Sequence, residues 1–513
     1  MIIIYHHSEK VISITYKNKE LPLIDNSLTK VVFTLCKQYP TEWILWCEKV
    51  LKKELNLEEL SNILSHRKML VTYSPSGKYV ISDMIQYIDI TLFANPNRNV
   101  RFASYLMSAE VGALHTTVLN NIKDNIYKKE SFAYFLCSLA KIGMPLGLFC
   151  YSDPRLLKNS KDYFGTIKHN LNLDYIFISE HWKKQWLFIL FLNILIHEKK
   201  ITLFPFLRSL FYKRRKFNEA VFDDIKVIST KQVETKIEID VIIPTIGRKP
   251  YLYDVLIDFS KQSMLPKKVV IVEQNPIINS VSDLDYLINE SFPFEIKHIF
   301  THSTGACNAR NIALSETTGE WIFLADDDIR VSELFFEKVM SFIKYTDIKA
   351  FSASCLQKDE IKKVGRIIQA DIFGSGCSFI RKEIAHSCRF DLNYEHGFGE
   401  DNDFGMQIRN LGEDVLFAGN IDILHLKATV GGFRTKPELK WKDEVIPPKP
   451  SPTIMLFKLK YNTIKQILGY KTFLILKYYK IQKIRNLIKY IRYFNQQWEV
   501  SIKWANKLKK IIT

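Results

Sequence analysis

The chain has no C-x-x-C pair and no finger-like spacing of cysteine and histidine. Its eight cysteines, Cys36, Cys47, Cys137, Cys150, Cys307, Cys355, Cys377 and Cys388, are scattered, most of them beside apolar residues. This pattern favours buried free thiols over a disulfide framework, and with them a reducing, cytosolic setting. The opening Met1–His7 lacks the basic lead and long apolar core of a secretory signal. The most apolar stretch, Trp186–Ile196, falls short of the roughly 20 residues that a spanning helix needs, so no transmembrane segment is expected. Acid is nearly missing from residues 451–513. Glu499 stands there alone against fourteen lysines and arginines, which places thirteen of the seventeen net positive charges in that stretch. So polarised a charge calls for an anionic partner or a solvated face. No nucleic-acid-binding module accompanies it, and nucleic acid is not expected as a partner.

What the chain does have is length for two or three domains and an ordinary balance of 47% apolar and 25% charged residues. Three parts are expected. Residues 1–225 mix β-rich runs (Val31–Leu35, Met69–Tyr73) with helical stretches such as Glu48–Leu64, and end in the aromatic and basic patch Phe204–Lys216. Residues 226–445 alternate strand, helix and strand (Ile237–Ile243, Tyr251–Gln262, Lys268–Val272), the mark of a βαβ unit with a parallel sheet. The Pro-rich linker Ile446–Pro452 leads into a basic, helical tail over 446–513. Trp43-Ile-Leu-Trp-Cys-Glu48 echoes Trp321-Ile-Phe-Leu-Ala-Asp326 without its acidic cluster, which leaves two readings open for the α/β domain 1–225: a coincidental apolar strand in a domain of unknown role, or a degenerate relative of the second part.

The run Glu320–Ile329 carries the strongest signal. An apolar strand ends abruptly in Asp326, Asp327 and Asp328. Adjacent carboxylates repel unless a cation neutralises them, and hard oxygen ligands suit Mg²⁺ or Mn²⁺. Strand Val241–Ile243 runs through Pro244 and Thr245 into a loop with Arg248, where α/β sheets place ligands. Glu273 closes the next strand and can accept a hydrogen bond from a base or ribose. Gly305-Ala-Cys-Asn-Ala-Arg310-Asn311 starts a helix whose N-terminus suits phosphate, with Arg310 adding a fork of donors. Glu400, Asp401 and Asp403 head another helix; Glu400 or Asp401 is a candidate general base, and Asp403 a candidate cap. His425 ends a strand as a candidate third metal ligand.

In combination, Pro-Thr…Arg, Gly-x-x-x-Ala-Arg-Asn, Asp-Asp-Asp, Gly-x-Gly, Glu-Asp and His over about 237–435 resemble the family 2 glycosyltransferases. The resemblance implies an α/β catalytic domain of the GT-A type, Rossmann-like with a mostly parallel sheet. It implies that Pro244, Thr245, Arg248, Glu273 and Asp327 lie at the nucleotide, Arg310 at the diphosphate and Asp326 near the ribose. Asp328 and His425 would hold the metal. Gly374 and Gly376 would line the acceptor side, and Asp401, or Glu400 in its place, would be the base. Many members carry an Asp pair where this chain has Glu273-Gln274. The implied activity is inverting, metal-dependent hexosyl transfer from a nucleotide sugar to a glycan or lipid-linked acceptor, in cell-surface polysaccharide synthesis. A GT-A-like nucleotidyltransferase is the competing class, but it needs an early Gly-rich loop that Gly247-Arg248 does not supply. A non-catalytic glycan-binding scaffold is the other. In the tail, apolar residues recur every three or four positions among lysines. That spacing predicts amphipathic helices on an anionic membrane surface, hence a peripheral protein on the cytosolic face.

Overall fold

The structure is a computed structural model that describes residues 1–122, 131–159, 163, 165, 169–231, 237–429 and 438–510. Parts of the expected second domain, 232–236 and 430–437, lie outside the described residues. The chain divides into two compact units, Met1–Lys231 with Asn462–Gln482, and Gln232–Tyr461 with Lys483–Thr513.

The first unit holds a sheet of β1 (Ile2–His7), β2 (Lys10–Tyr16), β3 (Lys19–Leu21), β4 (Trp43–Glu48), β5 (Met69–Tyr73), β6 (Phe102–Ala103), β7 (Val111–His115) and β8 (Phe149–Ser152). The strand order is β3-β2-β1-β4-β7-β5-β8-β6. Two sequence expectations are corrected here. Val31–Leu35 is not a strand but part of the helix Leu28–Gln38. Its β-branched residues are overridden because Leu28, Val31, Val32, Leu35 and Cys36 recur at helical spacing and all face the core. Glu48–Leu64 is not a continuous helix: Glu48 ends β4, and only Leu60–Ile63 is α-helical.

The second unit holds β9 (Ile239–Thr245), β10 (Lys268–Gln274), β11 (Glu295–Thr301), β12 (Trp321–Ala325), β13 (Ile329–Arg330), β14 (Ala350–Leu356), β15 (Ile367–Gln369), β16 (Cys377–Arg381) and β17 (Leu416–His425). The order is β11-β10-β9-β12-β16-β14-β17-β13, with β15 paired to β17. Strands β11, β10, β9 and β12 are parallel, β16 is antiparallel to β12 and β14, and β17 runs parallel to β14. The helix Lys249–Ser260 carries β9 over to β10, which is the expected βαβ unit. Strands β9, β10 and β12 are near-continuous apolar runs because both faces of the sheet are covered. Phe323 stacks on Phe379 at 4.3 Å and Phe379 on Phe351 at 5.1 Å, tying β12, β16 and β14 together. Parallel strands end on one edge, so Thr245, Gln274 and Ala325 deliver their following residues to the same side of the sheet.

The two sheets share a plan. In the first unit β1 is parallel to β4, β4 antiparallel to β7, β7 antiparallel to β5, and β5 parallel to β8. Strands β9, β12, β16, β14 and β17 repeat these relations in the same order. The match extends to single bonds. Thr116 N donates to Glu42 O as Lys382 N does to Glu320 O, both at 2.9 Å. Glu48 N donates to Glu110 O as Asp326 N does to Gly376 O. Ser108 N donates to Thr72 Oγ1 as Gly374 N does to Ser352 Oγ, both at 3.1 Å. Trp43–Glu48 and Trp321–Asp326 are thus the same strand of the same plan. The difference lies at one edge, where β1–β2 and β2–β3 are antiparallel hairpins turned through left-handed Ser8-Glu9 and Lys17-Asn18.

The tail is helical, as Pro452–Tyr461, Ile464–Tyr479 and Leu487–Lys510. Part of its apolar spacing is spent on packing: Leu456, Leu474, Tyr490, Phe494 and Trp498 are buried. Leu459, Ile464, Leu476, Ile481, Leu487 and Ile488 stay exposed. Among the described residues no helix is long and apolar enough to cross a membrane.

Candidate active site

The acidic triplet splits into three roles, because successive residues leaving β12 face different neighbours. Asp327 is buried and turned toward the β9 loop, where it accepts from Thr245 Oγ1 and from Arg248 Nη1, each at 2.7 Å. Burial raises its pKa to about 6, against the pull of Arg248 and Thr245. Asp327 is thus a latch that orders the Thr245–Arg248 loop.

Asp326 and Asp328 bracket an opening. Asp326 is half-buried and accepts from Arg310 Nη2 at 3.1 Å. Asp328 is buried; Ala428 N donates to its Oδ2 at 2.8 Å, and His425 Nε2 stands 3.4 Å from its Oδ1. That is an ion-pair contact, too long for a well-formed hydrogen bond, and Oδ1 accepts no hydrogen bond. Burial alone would raise the Asp328 pKa, but His425, the Ala428 N–H and Arg248 hold it below the usual range. His425 is raised in turn, first by its contact with Asp328. One oxygen of Asp326, one of Asp328 and a ring nitrogen of His425 lie within 4.8 Å of one another. Two carboxylates, an imidazole and a buried unclaimed oxygen fit a divalent cation of the Mg²⁺ or Mn²⁺ kind.

Arg310 lies buried on the helix Ala306–Ser315 and feels Asp326, Asp401 and Glu400. Glu400 and Asp401 open the helix Glu400–Asn410. Ser375 N donates to Asp401 Oδ1 at 3.1 Å, so the Gly374–Gly376 turn meets this helix. Burial raises the Asp401 pKa. Burial and the neighbouring Asp401 charge push Glu400 up to about 7. Gly376 gives Asp326 its room: a Cβ there would fall 2.0 Å from Asp326 Oδ2. Asp403 is buried elsewhere and accepts from Lys460 and Tyr461 at 2.7 and 2.9 Å, which anchors Pro452–Tyr461. Thr245, Arg248, Arg310, the triplet, Gly376, Glu400, Asp401 and His425 are therefore gathered at one edge of the sheet.

Two sequence readings change. Glu273 is already engaged by its own chain, accepting from Ser282 Oγ, from Asp283 N at 3.0 Å and facing His298 Nε2 at 2.9 Å. The N-terminus of the helix Ala306–Ser315 is capped by Glu395, which accepts from Cys307 N at 3.1 Å and Asn308 N at 2.8 Å. This carboxylate satisfies two N–H groups of the helix start. Nothing local in the sequence marks Glu395, which reaches its partners across 88 and 87 residues. Gln274, which accepts from Gly305 N at 2.6 Å, and Ser375 were also missed. A cleft of about 380 Å³ lined by Lys249, Tyr253, Asp285, Tyr286 and Glu290 lies beside the Arg248 loop and holds none of the clustered carboxylates.

Residues 240–385 match the model of glycosyl transferase family 2. They form a family 2 glycosyltransferase domain. The match stops short of Glu400, Asp401 and His425, whose place in the site rests on the geometry above. No curated protein matches the chain. Among solved structures, S. aureus TarS is similar at 14% identity over 53% of each chain, with a TM-score of 0.35. GalNAc-T7 with UDP, GalNAc and Mn²⁺ follows at 14% over 54% of this chain and 57% of that one, TM-score 0.37. The mannosyltransferase PcManGT of Pyrobaculum calidifontis with GDP-Man and Mn²⁺ follows at 14% over 53% and 84%, TM-score 0.32. This chain spans about half the length of the TarS chain. The parallel ladder β11-β10-β9-β12 followed by the antiparallel β16 gives the glycosyltransferase domain its GT-A arrangement.

Proposed function

We propose that the glycosyltransferase domain moves a sugar from a nucleoside-diphosphate sugar to a hydroxyl of a glycan or lipid-linked acceptor, with inversion at the anomeric carbon. The observation that carries this is one edge of one sheet that collects the Asp326–Asp328–His425 cluster, the buried Arg310 and the Glu400–Asp401 pair. Asp326, Asp328 and His425 would hold Mg²⁺ or Mn²⁺. When bound, the cation supplies Lewis-acid neutralisation of diphosphate charge. Arg310, kept between Asp326 and Asp401, offers its guanidinium to the leaving diphosphate. Asp327 keeps Arg248 and Thr245 in place at the nucleotide.

The acceptor hydroxyl gives its proton to an Asp401 carboxylate oxygen while the hydroxyl oxygen bonds to the anomeric carbon. The bond from that carbon to the diphosphate oxygen breaks, and the nucleoside diphosphate leaves with that electron pair from the opposite face. With its pKa pushed up to about 7, Glu400 shares its proton with solvent near neutrality, so the pair carries less than two full charges and Asp401 is the carboxylate assigned to accept the proton. Nucleoside diphosphate release from a panel of nucleotide sugars, with and without Mn²⁺ and with simple glycan acceptors, tests the reading. A surface-polysaccharide role follows as the setting in which such an acceptor occurs.

For the first unit we infer common descent with the glycosyltransferase domain and loss of its donor site. Glu48, Lys49 and Val50 occupy the register of Asp326, Asp327 and Asp328, so an alkyl group replaces the buried metal-facing carboxylate. Glu110 stands where Gly376 leaves room for Asp326. Without a cation, the neighbouring carboxylates Glu48 and Glu110 would repel a diphosphate.

A further inference from the structure

Within the first unit, the helix Gln185–Asn193, the turn Ile194–Glu198 and the helix Leu203–Ser209 form a layer that packs on the helix Leu171–His181 and on the helix Ile464–Tyr479, with Trp186 stacked on Phe473 at 5.6 Å and Thr472 Oγ1 donating to Asn193 Oδ1 at 2.8 Å. Its inner side is well held. Tyr175 Oη and Thr202 Oγ1 bond at 2.6 Å, Ser179 Oγ donates to Ser209 O at 2.6 Å, and Phe206 packs on Phe191 and Tyr175. Its outer side carries large apolar groups into solvent. Ile201 is 79% exposed, Phe204 70% and Phe211 87%, with Phe188, Leu203 and Leu207 also exposed. Scattered apolar residues need no explanation, but this many within one short segment mark an interaction surface.

The charge around them has one sign. Lys183, Lys199, Lys200, Arg208, Lys213, Arg214 and Lys216 are exposed in the same segment. Glu198 is the single acid between residues 183 and 216. It is occupied, accepting from Tyr87 Oη at 2.8 Å and facing Lys465 Nζ at 3.8 Å. A protein partner would require an acidic apolar patch of matching shape. A bilayer with anionic lipid offers both complements at once, headgroup phosphates for the cations and acyl chains for Phe204 and Phe211.

We propose that this Phe188–Lys216 face is the surface by which the protein docks on an anionic membrane, and that the C-terminal tail is not. Of the tail's apolar groups, Leu459, Ile464, Leu476, Ile481, Leu487 and Ile488 are exposed but aliphatic, with Phe457 and Phe494 buried and Phe473 half-buried, whereas this segment presents Phe188, Phe204 and Phe211 to solvent. The face inserts its phenylalanines at the level of the lipid headgroups while the basic residues meet the phosphates. Docking there would suit a lipid-linked acceptor.

The full-length protein is sedimented with phosphatidylcholine vesicles, with and without phosphatidylglycerol. The wild type should bind only the anionic vesicles and come off in high salt. Phe204→Ser with Phe211→Ser should weaken that binding about tenfold or more. Lys199→Gln with Lys200→Gln should weaken it and lessen its salt dependence. Both pairs are exposed, so the unfolding temperature should stay put. Lys507→Gln with Lys509→Gln, in the tail, should leave binding unchanged. Equal binding to neutral vesicles, full binding by the phenylalanine variant, loss with the tail variant alone, or self-association of the wild type in place of vesicle binding would each overturn the proposal.

Discussion

Gly376 leaves the space that Asp326 uses: a methyl group at Gly376 would sit 2.0 Å from Asp326 Oδ2. The atom in the way is the tip of a half-exposed side chain, so the carboxylate can swing aside. Gly376→Ala should therefore cost little stability, within about 1 kcal/mol, yet pull Asp326 off Arg310 and out of the cation cluster. Calorimetry with a nucleoside diphosphate and Mn²⁺ should show affinity weakened by about tenfold or more, while urea unfolding barely shifts.

The pair Glu400–Asp401 should set the acid limb of the pH profile. Asp401 must lose its proton to act as base, and burial raises its pKa, while burial and then the Asp401 charge push Glu400 beside it up to about 7. Turnover should rise with pH through a limb that lies above the range of an ordinary aspartate. Glu400→Gln should move the limb to lower pH, since the remaining carboxylate is relieved of its neighbour. Asp401→Asn should keep donor binding and lose roughly 10²–10⁴-fold in turnover. An inactive Glu400→Gln beside an active Asp401→Asn would exchange the two roles.

Glu395 should matter to the fold more than to the donor. It caps two backbone N–H groups of the helix Ala306–Ser315. Glu395→Ala should cost about 1 kcal/mol in urea unfolding. Nucleoside diphosphate affinity should stay within about threefold, because the proposed donor site uses Arg310 and the Asp326–Asp328–His425 cluster rather than this helix start.

Much of this was legible in the chain itself. The apolar runs that end in Thr245, Gln274 and Asp326 announced a parallel sheet and its ligand-bearing edge, because a strand covered on both faces must be apolar throughout. The separate duties of Asp326, Asp327 and Asp328 were not legible, since they depend on what each side chain meets across the fold. Glu395 and Ser375 were invisible for the same reason. Val31–Leu35 misled because local β-propensity is a weak force against a helical apolar stripe. The echo between Trp43 and Trp321 was visible as a cadence, and strand pairing was needed to show that the two segments hold the same position in two sheets.

That correspondence bears on stoichiometry. If Val50 stands in place of the metal-facing Asp328, the full-length protein should bind one nucleoside diphosphate per chain in the presence of Mn²⁺. Equilibrium dialysis that finds two sites per chain would show a working donor site in the first unit.

The most direct test of the central claim, that Asp326, Asp328 and His425 form the cation-dependent donor site, is Asp328→Ala in the full-length protein, titrated with a nucleoside diphosphate with and without Mn²⁺. Removing the buried, unclaimed carboxylate oxygen should abolish the Mn²⁺-dependent part of binding, with the fold intact by circular dichroism. Mn²⁺-dependent affinity equal to that of the wild type would contradict the account.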